Sequence, residues 1–356
     1  MQKIDLHTHI LPERWPDWTK RTGQPGWVFL DHHGPGCARM MKTDAGGAKP
    51  FRDVTANLWD PRVRIDAMDR TGVDTQVLST VPVMFSYWAQ PRDAYDLARV
   101  LNDHIAGLVR DFPGRFEGLG TIPMQDAELA GRELERCVRE LGLKGVQIGS
   151  HVERPPPGPG GDWNLDEPVV VGVFAEAERL GACVFVHPWD MMGSAQMPRH
   201  WLPWLVGMPA ETCRAICSVI FGGVLDQLPR LRIAFAHGGG SFPGTIGRIA
   251  HGRACRPDLF PPASRDPREY LARGGAPARF FVDSLVHDAD ALRGVLRLFG
   301  AERVALGSDY PFPLGEEVPG ALVASMADVN PTARARVLRE TALEFLGSPS
   351  DRGSRR

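Results

Sequence analysis

The sequence predicts an α/β protein built as a (β/α)8 TIM barrel with a small insertion after the first strand. Eight short apolar runs rich in Val, Ile, Leu and Phe recur along the chain, as expected for strands buried on both faces. Longer segments between them carry apolar residues at spacings of three and four, the pattern of amphipathic helices. Eight alternating units favour a closed barrel, although the alternation by itself also fits an open parallel sheet.

The strand predictions rest on short apolar runs, and the helix predictions on longer periodic segments such as AYDLARVLNDHIAGLVRDF and ADALRGVLRLF. Gly or Pro follows many of the helical segments, where helices commonly end. The predicted strands are KIDLHTH (3–9), DTQVLST (74–80), RFEGLGTI (115–122), GVQIG (145–149), ACVFVH (182–187), LRIAFAH (231–237), ARFFVDS (278–284) and RVALGSD (303–309).

Several segments fall outside this alternation. Residues 14–58, which are rich in Trp, Gly, Pro and His, predict a small β insertion that caps one end of the barrel. We interpret PPPGPGG (155–161) and FPPASRDPREY (260–270) as surface loops and the tail 348–356 as disordered. The remainder, residues 1–347, is expected to form a single domain.

Composition narrows the class of protein. Of 356 residues, 43% are hydrophobic and 24% are charged, so a large core is expected. The formal net charge is -2, so neither nucleic acid nor a membrane surface is an expected partner. The N-terminus has no apolar signal segment, and no apolar run is expected to approach the ~20 residues of a membrane span. None of the 6 cysteines forms a CxxC pair, which predicts reduced, mostly buried thiols in a cytoplasmic protein.

His7 and His9 are the strongest chemical signal. They stand one residue apart in a predicted strand, so both side chains point the same way. Two imidazoles on one face can hold a zinc ion. The alternative is a pair of polar core histidines, which is less favoured because buried histidines need partners.

Three further polar residues end apolar strands. His187 ends the fifth predicted strand, His237 the sixth and Asp309 the eighth. All strand ends of a barrel converge on one face, so these residues are expected to meet His7 and His9. Any one of them alone fits a solvated loop residue, whereas all of them at strand ends indicates a site.

The set divides into ligands and an acid/base group. His7, His9, His187 and Asp309 make a plausible zinc shell that leaves a position for water, whose pKa falls to about 7 on zinc. His237 is then the acid/base group, since the ordinary histidine pKa lies near neutral pH. Spacing alone does not decide which of His187 and His237 binds the metal.

The fourth strand bears on the number of metal ions. Many two-metal barrels use a bridging lysine there, but Lys144 stands at the start of KGVQIG, the end away from the site. This favours one metal ion. His151, just beyond this strand, is a weaker candidate ligand.

Arginine and aromatic residues offer a substrate signal of lower specificity. Arg52 and Arg248 suit bidentate carboxylate recognition, but surface ion pairs are the commoner role for such residues. Trp189, Trp201, Trp204 and Phe312 fit the walls of a site for a flat substrate, although structural packing is more common.

Long blocks of the chain resemble one known family. The blocks are HTHILPERWPDW, LSTVPVMFSYWA, GLGTIPMQ, GVQIGSHV, FVHPWDMM, WLPWLVGMPAET, FAHGGGSFPGTIGRI and LGSDYPFPLGE. They closely resemble the 2-amino-3-carboxymuconate-6-semialdehyde decarboxylase family of the amidohydrolase superfamily, from residue 1 to about residue 346. The chain departs from the family in a longer 42–50 loop and an extended PPPGPGG linker.

The resemblance implies roles for individual residues. It makes His7, His9, His187 and Asp309 the ligands of one zinc ion per chain and His237 the acid/base residue. It also implies that two arginines clamp a substrate carboxylate, the second reaching from the neighbouring subunit of a homodimer. Those arginines are Arg52 and Arg248, and the other implied substrate-binding residues are Phe51, Trp189, Trp201, Phe312 and Leu314.

The implied reaction is zinc-dependent, non-oxidative decarboxylation of 2-amino-3-carboxymuconate-6-semialdehyde to 2-aminomuconate-6-semialdehyde. The resemblance connects this step with tryptophan–kynurenine or nitrobenzoate catabolism. The first alternative is another amidohydrolase-superfamily decarboxylase, hydratase or hydrolase that acts on a small carboxylated substrate. The second is a non-catalytic metal-binding or scaffold protein, against which the intact acid/base residue argues.

Overall fold

A computed structural model describes residues 2–153 and 161–348. Its strands, in chain order, are β1 (Ile4–Ile10), β2 (Val28–Gly34), β3 (Cys37–Asp44), β4 (Gly47–Thr55), β5 (Thr75–Thr80), β6 (Phe116–Gly120), β7 (Gly145–Gly149), β8 (Cys183–His187), β9 (Arg232–Phe235), β10 (Phe281–Asp283) and β11 (Val304–Ala305). The predicted tail beyond Ser348 and all of the predicted 155–161 loop except Gly161 lie outside the described residues.

Helices follow most of the strands. They are α1 (Trp18–Thr22), α2 (Pro61–Thr71), α3 (Pro91–Asp111), α4 (Ala127–Arg139), α5 (Pro168–Leu180), α6 (Met208–Phe221), α7 (Val224–Gln227), α8 (Phe242–Cys255), α9 (Ala289–Phe299), α10 (Ala321–Ser325), α11 (Pro331–Ala335) and α12 (Thr341–Leu346). A π-helical turn, Pro203–Gly207, precedes α6, and another, Arg336–Glu340, joins α11 to α12.

The predicted (β/α)8 barrel is confirmed. Eight strands lie in the order β1-β5-β6-β7-β8-β9-β10-β11, and their pairings are parallel. The segment after β11 closes the barrel against β1, because the amide of Leu6 donates to the carbonyl of Leu306 at 2.8 Å. The amide of Asp309 likewise donates to the carbonyl of His7 at 2.9 Å. The carboxyl ends of all strands therefore meet at one face.

The later strands are shorter than predicted. We expected strands over 231–237, 278–284 and 303–309, but the regular pairing stops at Phe235, Asp283 and Ala305. The chain turns out of the sheet there, since His237 and Asp309 have φ of 57° and 58°. Two predicted site residues thus lie just beyond strands rather than in them.

The insertion forms a three-stranded antiparallel sheet, β2-β3-β4. Met40 on its central strand is fully buried and belongs to one apolar cluster with Leu11, Val81 and Met84, which follow barrel strands β1 and β5. The insertion therefore covers the carboxyl end of the barrel on that side, as predicted. The longer 42–50 segment is a β-hairpin rather than an open loop, because β3 and β4 pair as far as its turn.

The expectation that no apolar run approaches a membrane span was wrong for Pro203–Phe221. This helical stretch of 19 residues is long and apolar enough by length and composition alone. It forms where the π-helical turn runs directly into α6. Helices of a protein core pass the same test, and here the stretch connects β8 to β9 and buries the carboxylate of Glu211.

The cysteines are free but less buried than predicted. Cys137 and Cys183 are buried, and Cys255 is exposed. Cys213 and Cys217 are half-buried, as is Cys37, because the faces of α6 and β3 that carry them are only partly covered.

Candidate active site

The five residues predicted to form a site lie together at the carboxyl face of the barrel. β1 positions His7 and His9, and β8 ends at His187. The turns that leave β9 and β11 bring His237 and Asp309 to the same place. Close packing helps, since a Cβ added at Gly307 after β11 would lie only 2.9 Å from the Cβ of His7.

Three histidines are oriented by hydrogen bonds from their Nδ1 atoms. His7 Nδ1 donates to Asp283 Oδ2 at 2.7 Å, and His9 Nδ1 donates to a backbone carbonyl at the end of β5 at 3.0 Å. His187 Nδ1 donates to the carbonyl of the following residue at 2.6 Å. A neutral imidazole has one donor and one acceptor, so in the neutral form of each ring Nε2 carries the lone pair.

These lone pairs converge on one point with a carboxylate oxygen. The Nε2 atoms of His7 and His9 are 3.2 Å apart, and Asp309 Oδ1 lies 3.0 Å from His9 Nε2. His187 Nε2 is buried and has no hydrogen-bond partner among the described residues. Burial lowers the pKa of both His9 and His187, whereas at His7 the hydrogen bond to Asp283 and the charge of Asp309 outweigh burial and raise the pKa. A proton on His7 still leaves the buried Nε2 of His187 without a partner among the described residues. The donor set therefore fits a divalent cation.

Asp309 contributes the negative charge. Burial favours the protonated form of its side chain, but the neighbouring histidines outweigh burial and hold its pKa well below the usual range. The site thus combines an ionised carboxylate with the neutral imidazoles of His9 and His187, and a bound metal ion would displace any proton on His7 Nε2, because these side chains bind a metal in their deprotonated form.

His237 faces the open side of this group. Its ring is 5.2 Å from the ring of His7 and 5.0 Å from that of His187, and it makes no hydrogen bond to the described residues. Burial, and then the positive charge of His7, lower its pKa to about 4, so the ring is neutral at neutral pH. One ligand atom from each of His7, His187, His237 and Asp309 lies within 4.8 Å of the others, so His237 is also within reach of an ion at this position.

Asp283 is a site residue that the sequence analysis missed. It is fully buried at the end of β10 and accepts hydrogen bonds from His7 Nδ1 and from the amide of His237, the latter at 2.9 Å. Its signal was the same as that of Asp309, a carboxylate at the end of an apolar strand, and FFVDS could have been weighed in the same way.

A cavity of about 820 Å³ opens above the histidines. His9, His187, His237 and Asp309 form part of its floor. Its walls include six of the seven residues predicted to bind substrate, namely Phe51, Arg52, Trp189, Trp201, Phe312 and Leu314.

Arg52 supplies positive charge to this cavity. β4 of the insertion carries it, and its guanidinium lies 4.7 Å from the ring centre of Phe312. It has no hydrogen bond or ion pair with any described residue, although it is half-buried and burial lowers its pKa. An unpaired arginine of this kind suits an anionic ligand.

The aromatic wall is held by a second carboxylate that sequence reasoning missed. Glu211 on α6 is fully buried and accepts hydrogen bonds from the three amides of residues 189–191, at 2.9, 3.3 and 2.6 Å. Although burial opposes it, hydrogen bonds from His151 and Ser150 lower the pKa of Glu211 to about 2. No sequence signal distinguished this residue from other helix residues.

Arg248 is the predicted residue that the single chain does not bring to the site. It is exposed on α8, makes no hydrogen bond or ion pair with the described residues, and is absent from the cavity walls. The chain therefore supplies one of the two predicted arginines to its own cavity.

The weaker metal candidates lie elsewhere. Lys144 precedes β7, and its Nζ is 3.6 Å from the carboxylate of Glu117, at the amino end of the barrel. His151 is buried with its ring stacked on Trp189 at 5.0 Å, behind the cavity wall.

Comparisons with known proteins show the family of this chain. A family model described as amidohydrolase matches residues 4–348. The chain is 55% identical to 2-amino-3-carboxymuconate-6-semialdehyde decarboxylase of Dictyostelium discoideum, covering 97% of this chain and 91% of that protein. It is 38% identical to the Caenorhabditis elegans protein of the same name, covering 97% and 94%.

Among solved structures, the chain is similar to 5-carboxyvanillate decarboxylase from Novosphingobium aromaticivorans. The two chains are 25% identical and superpose with a TM-score of 0.71, over 82% of this chain and 81% of that one. That structure was determined with manganese and 4-hydroxy-3-methoxy-5-nitrobenzoic acid bound.

Proposed function

The chain belongs to the amidohydrolase family and is a non-oxidative decarboxylase, and from this premise we propose that its substrate is 2-amino-3-carboxymuconate-6-semialdehyde, decarboxylated with the help of one zinc ion. The product is 2-aminomuconate-6-semialdehyde. The high identity to two proteins of that name, which extends over nearly the whole chain, supports the choice of substrate.

The observation that carries the proposal is an unpaired arginine beside a histidine–aspartate centre. Arg52 lies over Phe312, whose ring is in turn 5.6 Å from the ring of His9. A flat carboxylated substrate can therefore contact the guanidinium with one carboxylate while another carboxylate lies near the metal ligands. Two carboxylates on one small molecule match this arrangement better than one does.

The reaction needs a group that returns a proton. The bond between the substrate carbon and its carboxylate breaks, CO2 leaves, and the electron pair stays on the carbon. His237 faces the cavity and is neutral at neutral pH, so it can take up a proton from water before the bond breaks and deliver it to that carbon afterwards, where the proton replaces the CO2 that has left. His7, His9, His187 and Asp309 would hold the metal ion, which would supply electrostatic stabilisation of the developing negative charge.

Amidohydrolase-family decarboxylases use a divalent metal, and our proposal is zinc. The support is chemical: three imidazole nitrogens and one carboxylate oxygen form a set that suits zinc, whereas manganese prefers more oxygen ligands. The manganese in the 5-carboxyvanillate decarboxylase structure belongs to that protein. Metal content measured on protein purified without added metal will distinguish the two ions.

The proposal includes a homodimer in which Arg248 enters the partner's cavity. Two features support it: Arg248 makes no hydrogen bond or ion pair within the part of the chain that the structure describes, and exposed apolar residues lie in the segment that leads into α6, where Trp201 and Leu205 line the cavity. Trp201, Leu205 and Val206 are 41%, 49% and 50% exposed, a cluster of the kind that marks interaction sites. The location we propose is the cytoplasm, in keeping with six free cysteines.

The test is a comparison of two carboxylated substrates. The zinc-loaded protein is given 2-amino-3-carboxymuconate-6-semialdehyde or 5-carboxyvanillate, and CO2 and the organic product are both identified. We expect kcat/KM to be at least about a hundredfold higher for the first, a factor that corresponds to roughly 3 kcal/mol of transition-state discrimination. A higher kcat/KM for 5-carboxyvanillate would reject the proposed substrate while leaving the decarboxylase assignment intact.

A further inference from the structure

We propose that Asp283 is a positioning residue that couples the metal centre to the acid/base histidine, so that one carboxylate sets both the orientation of His7 and the place of His237. This inference rests on the proposed roles of His7 and His237. It adds a residue whose side chain touches neither the cavity nor, by this account, the metal.

Four N–H groups donate to the Asp283 carboxylate. Oδ2 accepts from His7 Nδ1 at 2.7 Å and from the amide of His237 at 2.9 Å. Oδ1 accepts from the amides of Gly238 and Leu285 at 2.8 and 3.1 Å. The ligand and the backbone of the acid/base residue therefore share one oxygen atom.

The surroundings leave this carboxylate little freedom. Asp283 is fully buried, and no Lys or Arg of the described residues forms an ion pair with it. Strand pairing fixes the position of Asp283 along the barrel axis, since the preceding residue, Val282, is in register with Phe235 at the end of β9. A Cβ added at Gly307 would lie 2.7 Å from the Cβ of Asp283, so β11 blocks movement on its other side.

The shared oxygen also explains how His237 keeps its conformation. Its φ of 57° lies in the left-handed region, which non-glycine residues adopt rarely and at an energetic cost. The two consecutive amides of His237 and Gly238 both donate to Asp283, which stabilises the turn that directs the ring into the cavity. A shift of the His7 ring would move the Asp283 carboxylate and, through it, the turn at His237.

An amide at position 283 cannot replace the carboxylate. Asn has one acceptor oxygen and one NH2 group, so either orientation places an N–H against two N–H donors. In one orientation the N–H groups of His7 and His237 lose their acceptor, and in the other orientation the amides of Gly238 and Leu285 lose theirs. Asp283→Asn is therefore expected to disturb the pair even though its shape is nearly unchanged.

The experiment measures zinc affinity and kinetics separately. The zinc dissociation constant is obtained by competition with a chromogenic chelator, which needs no substrate. We expect Asp283→Asn to raise it about 10–100-fold, the usual effect of removing a group that orients a metal ligand. At saturating zinc, kcat should still be reduced about 10–100-fold while KM stays within about twofold, because Arg52 is untouched.

The matched control is Glu133→Gln. Glu133 is another fully buried carboxylate, bound to Asn102 and Arg136 at 2.7 and 2.8 Å, on α4 outside the barrel. Its loss should lower the melting temperature and leave the zinc dissociation constant unchanged. A purely structural role for Asp283 predicts the same behaviour for Asp283→Asn.

A second variant, Asp283→Ala, leaves space for a small carboxylate. Formate is expected to restore zinc affinity and kcat together as its concentration rises.

The inference is overturned if folded Asp283→Asn binds zinc as the wild type does, if saturating zinc alone restores kcat, or if formate restores neither property. Failure of both variants to fold would also overturn it, because the carboxylate would then be a requirement of the barrel. Failure of the proposed substrate is a separate result, since the zinc measurement does not depend on it.

Discussion

At the scale of single residues, the site depends on side chains that the backbone holds in uncommon conformations. His237 and Asp309 both have positive φ, at 57° and 58°. Each stands one or more residues beyond the end of regular strand pairing, so the turn directs the side chain inward instead of along the sheet. Strain of this kind persists where surrounding hydrogen bonds over-determine it, and Asp283 accepts one such bond from the amide of His237 and one from the amide of Gly238.

The first prediction concerns His237. We expect His237→Ala to keep its zinc and to lose activity by about 10²–10⁴-fold, the usual contribution of general acid/base catalysis. The reason is that a hydrogen bond from Nδ1 orients the ring of His187 and leaves its buried Nε2 without a partner among the described residues, whereas no such bond orients the ring of His237. Zinc content and kcat are measured on the same sample. Loss of zinc, with activity regained in excess zinc, would make His237 a ligand.

The second prediction concerns the pH dependence of stability. Burial lowers the pKa of His104 to about 4, and its Nε2 is buried without a hydrogen-bond partner among the described residues. The unfolded chain, with the ordinary histidine pKa of about 6.5, therefore binds this proton more readily than the folded chain does. Keeping His104 unprotonated in the folded chain therefore costs no stability above about pH 6.5. As pH falls toward 4, this cost in the free energy of unfolding grows to roughly 3 kcal/mol.

His104→Gln isolates this contribution. The other titrating groups are common to both proteins, so the difference in free energy of unfolding between wild type and variant should change by roughly 3 kcal/mol from pH 7 to pH 4. Urea unfolding at several pH values measures it. A difference that stays constant over this range contradicts the assignment.

At the scale of elements, the loop that follows β8 is held from outside by one helix. Glu211 on α6 binds the three amides of residues 189–191, and this loop carries Trp189, whose ring lines the cavity. The carboxylate thus fixes part of the substrate wall without lining the cavity itself. Of the proposed metal ligands, His7, His9 and Asp309 belong to other parts of the barrel, and His187 ends β8 before the three bound amides begin.

The third prediction follows from that arrangement. Glu211→Gln should raise KM by about 10-fold or more, because a neutral amide is a weaker acceptor than a carboxylate for three amides. Zinc content should remain that of the wild type. Steady-state kinetics and elemental analysis provide the two measurements. An unchanged KM in a folded variant would show that the loop does not need the carboxylate.

The elements also show what a sequence can and cannot predict. Eight apolar runs predicted the barrel, and polar residues at strand ends predicted that His7, His187 and Asp309 meet, because parallel strands in a barrel end at one face. The early end of β11 was not predicted, since it depends on a turn at Asp309 rather than on apolar pattern. Glu211 was missed because its amide partners are about 20 residues away in the chain, beyond any local spacing rule.

At the scale of the whole molecule, the proposed site needs two chains to be complete. Each chain brings Arg52 to its own cavity and leaves Arg248 exposed on α8. In the proposed two-fold dimer this exchange would be reciprocal, and each cavity would receive one arginine from each chain.

The fourth prediction tests this exchange by complementation. Arg52→Ala and Arg248→Ala are each expected to be nearly inactive. When they are mixed under conditions that allow subunit exchange, half of the dimers are mixed and half of their sites contain both arginines, so about a quarter of wild-type activity should return. If both arginines served their own chain, every site would lack one. No recovery despite verified exchange would therefore refute the shared site.

The central claim, a decarboxylase with one metal ion held by the histidines and Asp309, is tested most directly by stepwise reconstitution. Metal-free protein is titrated with zinc under anaerobic conditions, and CO2 release from 2-amino-3-carboxymuconate-6-semialdehyde is measured at each step. The account predicts one CO2 for each substrate consumed, no activity without metal, and a linear rise that stops at about one zinc per chain. CO2 release by the fully chelated protein, a requirement for a second zinc, or substrate loss without CO2 would contradict it.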